Sequence, residues 1–188
     1  MPLPSIAQDR AQLFGLLKKN AFFKGKVILS SGKESDYYLD ARLVTLSAAG
    51  AYHTARIMLD MVKDDVLDAI GGPTLGADPM VGAIGSLSHQ QGRPLDTFII
   101  RKAPKAHGKQ QQVEGPLLKE GAKVVIIDDV ATTGKAFVES IEVLSKMNVK
   151  VLKAICVIDR QEGAREALAK FGVPLQSTFT AGEFSMSP

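Results

Sequence analysis

Between Asp9 and Lys19 the apolar residues Ala11, Leu13, Phe14, Leu16 and Leu17 recur at helical spacing, with Asp9 placed as an N-cap. Residues 22–40 follow another pattern. Phe22-Phe23, Val27-Ile28-Leu29 and Tyr37-Tyr38-Leu39 are short β-prone runs, and Ser30-Ser31-Gly32 supplies turn chemistry between the last two. Ser47 to Val62 reads as a helix capped by Ser47, with Ala51, Ala55, Met58, Leu59 and Val62 on one side. A regular alternation then begins. Leu67 to Ile70, Thr97 to Ile100, Lys123 to Ile127, Val149 to Ile158 and Val173 to Thr178 are strand-like, and helical patterns occupy about 78–90, 135–147 and 161–170. Arg101 to Gly115 is polar and has no period.

Strands that are nearly continuous aliphatic runs, alternating with helices, predict an α/β fold with a mainly parallel sheet covered by helices on both faces. The first forty residues break that rhythm and predict a small hood built onto the sheet. One domain is expected over 1–188, with helix and hood in about 1–45 and the α/β core in about 65–178.

Composition adds exclusions. The 188 residues are 45% hydrophobic and 23% charged, an ordinary globular balance. The single cysteine, Cys156, rules out an internal disulfide framework and a cysteine-based zinc cluster. A net charge of +3 is too small to argue for nucleic acid. Aliphatic runs such as Val124 to Ile127 are far too short to span a bilayer, and Met1 to Gln8 lack the pattern of a leader. The cytoplasm is the expected compartment.

In open parallel sheets, ligands sit beyond the carboxyl ends of the strands, so chemistry is expected after Ile70, Ile100, Ile127 and Ile158. The third position reads Asp128-Asp129-Val130-Ala131-Thr132-Thr133-Gly134-Lys135-Ala136. A turn of small hydroxyl residues leading into a helix offers backbone N–H groups and a positive dipole end to a phosphomonoester. The paired carboxylates would repel phosphate, but suit a ribose diol or the outer shell of a magnesium ion. The alternative is an acidic strand exit that merely caps the next helix. No Gly-x-x-x-x-Gly-Lys-Ser/Thr and no Gly-x-Gly-x-x-Gly occurs, so triphosphate hydrolysis and dinucleotide binding lose support.

After the second strand, Arg101, Lys102, Lys105, His107 and Lys109 fall within nine residues, followed by Gly108, Gln110 to Gln112 and Gly115. A cationic, glycine-hinged loop there would close over a polyanion, or else be a solvated basic surface. After the fourth strand, Asp159-Arg160-Gln161-Glu162-Gly163 presents an arginine able to fork onto a carboxylate, or to pair with Asp159 or Glu162. After the first, Gly71-Gly72-Pro73-Thr74-Leu75-Gly76-Ala77-Asp78-Pro79 is a small-residue turn, suited to a diphosphate or simply to helix entry.

The 124–136 segment resembles the phosphoribosyl-diphosphate (PRPP) signature of the type I phosphoribosyltransferases. Arg101-Lys102-x-x-Lys105-x-His107-Gly108 and Asp159-Arg160-Gln161-Glu162-Gly163 are similar to segments of the orotate-using members of that family. Ser31-Gly32-Lys33-x-Ser35-x-Tyr37 is similar to their N-terminal segment, although Ser30 and Tyr38-Leu39 stand where some members carry a lysine and an aromatic pair. Leu75-Gly76 replaces a Tyr-Lys pair found in some members, so that contact is not carried over.

The resemblance implies the type I phosphoribosyltransferase fold and transfer of a phosphoribosyl group from PRPP to orotate in pyrimidine biosynthesis. It implies PRPP contacts from Arg101, Lys102, Lys105, His107 and the whole run Asp128, Asp129, Val130, Ala131, Thr132, Thr133, Gly134, Lys135 and Ala136. Lys105, His107, Asp128 and Asp129 would be catalytic, and Thr132 and Arg160 would hold orotate. Magnesium would be held through PRPP and water near Asp128 and Asp129, with no direct protein ligand. A homodimer is implied, with the 101–115 loop shared across its interface. Alternatives are a PRPP-dependent transferase for another base, or a PRPP-sensing regulator.

Overall fold

In the computed structural model, which describes residues 4–28, 34–103 and 112–185, the first helical pattern becomes α1 (Ile6–Asn20). Its cap is Ser5, not Asp9. The Ser5 hydroxyl accepts from the Gln8 N–H while the Gln8 side chain accepts from the Ser5 N–H, a reciprocal capping box. Asp9 lies inside the helix and is fully buried, bonded to Arg56 Nε at 2.7 Å and His53 Nδ1 at 2.8 Å. Its charge made it look like a cap, but a long-range ion pair is what it serves.

The β-prone runs form a two-stranded antiparallel hairpin, β1 (Phe22–Ile28) and β2 (Glu34–Leu39), with Phe22 opposite Leu39 and Phe23 opposite Tyr38. Ser30 and the turn around it lie outside the described residues. A short helix α2 (Arg42–Thr45) leads into α3 (Ala48–Met61), whose cap is Ser47 as expected.

Next come β3 (Ala69–Pro73), α4 (Asp78–Gln90), β4 (Asp96–Ile100) and the two-residue β5 (Val113–Glu114). The chain continues with β6 (Lys123–Ala131), α5 (Lys135–Ser145), β7 (Lys150–Asp159), α6 (Ala164–Ala169), β8 (Leu175–Thr180) and α7 (Ala181–Ser185). The six-stranded sheet has the order β5-β4-β3-β6-β7-β8 and is parallel except for β5. Two departures matter. The polar 101–115 stretch contains β5, too short to show any period, and β6 runs four residues past Ile127.

Side chains alternate across the central strands. Val125, Ile127, Ile155 and Val157 face one core with α1, α3, α4 and α7, while Val124, Ile126, Ala154 and Cys156 face the other with α5 and α6. Each buried valine or isoleucine contributes ~1.5–3 kcal/mol, which makes the sheet a rigid platform. The chain order reverses between β3 and β6, since β4 lies on one side and β7 on the other. That switch point is the crevice where a ligand fits.

Candidate active site

At the crevice, β6 delivers Asp128 and Asp129 while still paired with β7: Asp128 is opposite Cys156 and Ala131 opposite Asp159. Each carboxylate accepts the next backbone N–H, Asp128 Oδ1 from Asp129 at 2.9 Å and Asp129 Oδ1 from Val130 at 2.8 Å. Burial lifts the Asp128 carboxyl well above the usual carboxylate range, and the negative charge of Asp129 lifts it further. Asp129 is raised as well, chiefly by burial. An acid pair held this close, Asp128 buried and Asp129 half-buried, favours hydrogen-bond donors or a cation from a ligand.

Thr132 and Thr133 follow, then Gly134 at φ +80°, and α5 begins at Lys135. Gly134 is required twice over. Its backbone is left-handed, and a Cβ there would lie 3.0 Å from Ala164 Cα. The turn encloses about 190 Å³ lined by Asp128, Val130 to Lys135, Ala136 and Phe137. The first amides of α5 have no partner within the helix, so the turn is built for an anion. Lys135 is exposed at its mouth, 3.8 Å from Glu139.

Across the switch point, the β3–α4 turn carries a cis Thr74–Leu75 peptide, and the Thr74 N–H bonds to Ile100 O at 3.0 Å. This turn brings in Gly76, which the sequence offered only as part of a small-residue turn and not as a neighbour of the acid pair. A Cβ on Gly76 would lie 2.0 Å from Asp128 Oδ1 and 2.5 Å from Asp129 Oδ1, so the turn closes directly over the acid pair. A second unanticipated neighbour is Arg42. It forks onto Asp40 at 3.0 and 3.2 Å, and its charge favours the ionised forms of both Asp128 and Asp129.

Of the basic loop, Arg101 and Lys102 are described; Lys105 and His107 lie outside the described residues. Arg101 N–H bonds to Gln112 O at 2.8 Å, Gln112 Nε2 returns a bond to Arg101 O at 2.8 Å, and the Arg101 guanidinium rests on Glu114 at 3.3 Å. These contacts pinch the loop's two ends together. Beside them is a cleft of about 800 Å³ lined in part by Thr74, Arg101, Lys102, Lys135 and Lys146.

At the end of β7, Arg160 N–H bonds to Ala131 O at 2.8 Å, which sets it next to Thr132. The fully buried Asp159 accepts from Gln161 N–H and from Arg165 Nε, both at 2.8 Å, and fixes the turn with Gln161 at φ +59°. The Arg160–Glu162 pair weighed from the sequence is real: Nε donates to Glu162 Oε1 at 2.8 Å. It is not a solvated surface pair, because the Arg160 side chain is only 6% exposed, with its guanidinium carbon over the ring of Tyr37 at 4.7 Å. Among the described residues, its two terminal nitrogens have no hydrogen-bond partner. A buried guanidinium with that edge open is shaped for a planar oxyanion such as a carboxylate.

Comparison with known proteins gives the family. The chain matches the phosphoribosyl transferase domain family over residues 73–183. It is 42% identical to the orotate phosphoribosyltransferase of Synechocystis sp. over 178 residues, covering 95% of this chain and 89% of that one. Among solved structures, Mycobacterium tuberculosis orotate phosphoribosyltransferase in complex with Fe(III) dicitrate superposes with a TM-score of 0.83 at 35% identity, covering 95% of this chain and 99% of that one. The complex of that enzyme with PRPP superposes at 0.79 and 31% identity with the same coverage. Likeness of this extent, on a parallel sheet whose switch point holds an acid pair, an anion turn and an open-edged arginine, shows that the chain belongs to the orotate phosphoribosyltransferase family.

Proposed function

We propose that the chain transfers the 5-phosphoribosyl group from PRPP to orotate, giving orotidine 5'-monophosphate and pyrophosphate in pyrimidine biosynthesis, through the residues of this crevice. The open edge of buried Arg160 is the observation that carries the choice of base. A base bearing a carboxylate satisfies it, whereas one without a carboxylate leaves it unpaired at a cost of ~1–3 kcal/mol or more. Thr132, adjacent through the Arg160–Ala131 bond, would share the base.

The turn from Ala131 to Ala136 would hold the 5'-phosphate, and Asp128 and Asp129 would accept hydrogen bonds from the ribose hydroxyls. Two carboxylates, with no cluster of three or more metal-ligating side chains among the described residues, suit an ion that keeps its waters and takes substrate oxygens. Magnesium so held would supply positive charge to the diphosphate, with Asp128 and Asp129 bonding its water shell. The C1'–O bond breaks, its electron pair leaves on pyrophosphate, and the orotate ring nitrogen, deprotonated on the bound base, forms the new bond to C1'. Lys105 and His107, with Arg101 and Lys102 behind them, would meet the charge growing on pyrophosphate, an effect often worth ~10²–10³ in rate per group. The proposal includes a cytoplasmic homodimer in which the 101–115 segment of one copy serves the other's site.

Steady-state kinetics of Arg160→Ala with orotate, PRPP and magnesium test the assignment. The KM for orotate should rise ~10–100-fold, the worth of a charged hydrogen-bonded pair, while the KM for PRPP stays within about threefold. Equal weakening of both substrates would remove the carboxylate argument.

A further inference from the structure

Arg160 would serve any carboxylate poorly if its guanidinium could swing, and the structure holds it from two directions. The ring of Tyr37 lies under the guanidinium carbon at 4.7 Å and gives the cation one face to rest on. A group resting on a ring can still swivel over it. The bond from Nε to Glu162 Oε1 at 2.8 Å removes that rotation, so the terminal nitrogens point in one direction before a ligand arrives. Tyr37 is itself backed: Phe22 stacks on it at 5.1 Å, and the fully buried Phe184 lies 5.8 Å behind Phe22.

We propose that Tyr37 is a positioning residue for the base, and that the hairpin takes part in substrate choice by presetting Arg160. The proposal rests on the reading of Arg160 as the carboxylate partner. A guanidinium already aligned loses little freedom on binding, and its planar fork demands a planar acceptor, here a carboxylate lying in the plane of a pyrimidine ring. The quadrupole of the Tyr37 ring also keeps a cation stable in a place with little water.

The test compares Tyr37→Leu, Tyr37→Phe, Arg160→Ala and the double variant Tyr37→Leu/Arg160→Ala, each by KM and kcat for both substrates and by thermal melting. Tyr37→Leu should raise the orotate KM ~3–30-fold, the span of a partly desolvated cation–π contact, and leave the PRPP KM within about twofold. Tyr37→Phe, which keeps the ring, should restore the orotate KM to within about threefold of wild type. In the Arg160→Ala background, Tyr37→Leu should add nothing. An unchanged orotate KM in Tyr37→Leu, or equal losses for both substrates, or effects that add to those of Arg160→Ala, would each overturn the role of Tyr37. If Arg160→Ala itself leaves the orotate KM unchanged, the reading of Arg160 fails; if it raises that KM and Tyr37→Leu does not, this inference alone fails.

Discussion

Asp128 is an acid placed where folding alone would not put one. It is buried, a second carboxylate adjoins it, and its folded-state pKa lies above the ordinary carboxylate value. Below the ordinary value both folded and unfolded chains hold the proton, and the group has no effect on stability. As pH rises from there through the raised folded value, the unfolded chain releases its proton first, so folding stability falls; above the folded value the deficit is complete. Asp128→Asn removes the deficit while keeping an oxygen that can accept from the Asp129 N–H. The variant should therefore melt above wild type near pH 8, with the gap shrinking toward acid. Its kcat/KM should fall ~10²-fold, because an amide is a weaker partner for a diol and a metal's water. Melting curves and kinetics on one preparation check both signs, and a variant melting at or below wild type near pH 8 would contradict the burial argument. Stability given up at a residue of this kind marks function more firmly than its position in a motif does.

Among elements, local pattern and long-range packing divided what the sequence could announce. The helices α3, α4 and α5 were legible from periodicity and from Ser47, and the anion turn and the arginine after β7 were legible because each is one short run at a strand end. The strand β6 was read too short, because two aspartates have little β-propensity; pairing of Asp128 to Ala131 with β7 overrides that. The approach of Gly76 to the acid pair, the place of Arg42 and the Tyr37–Arg160 contact had no local signal, since each joins residues far apart in the chain. Lys105 and His107, read from the basic run and given roles by resemblance, lie outside the described residues. Gly76 shows what such a contact is worth. The atoms a new Cβ would strike are Oδ1 of Asp128 and of Asp129, at 2.0 and 2.5 Å, and these can turn aside only by giving up their bonds from the Asp129 and Val130 N–H groups. Gly76→Ala should therefore lose about 1–3 kcal/mol of stability as those bonds break, and lose more than ~10-fold in kcat/KM as the acid pair turns from its ligand; misplacements of about 1 Å have cost enzymes ~10² in rate. A variant with full activity would show that the pair's observed orientation is dispensable.

Across the whole molecule, the two ends of the chain meet under the hairpin, which ties the base site to overall stability. Arg10 of α1 bonds Glu183 of α7 at 2.6 Å and lies over the ring of Phe179, and Phe14 stacks on Phe184 at 4.7 Å. Phe184 also touches Phe22 and Phe179, so one side chain from the last described helix joins the first helix, the edge strand β8 and the hairpin that bears Tyr37. Phe184→Ala should lower the unfolding free energy by ~3–5 kcal/mol, as expected for a fully buried ring replaced by a cavity. Phe184→Leu, which keeps most of the volume, should cost about 1 kcal/mol. Urea unfolding gives both numbers. The alanine variant should also bind orotate more weakly than the leucine variant at a temperature where both remain folded, because the cavity lies behind Phe22 and Tyr37 and lets the support of Arg160 slacken. PRPP binding should hardly differ between the two variants, since the anion turn is anchored instead by Ala164 and Leu168 on the opposite face of the sheet. If both variants lost the two substrates in parallel, the hairpin and the sheet would be responding as one body. The base would then have no support separate from that of the phosphate.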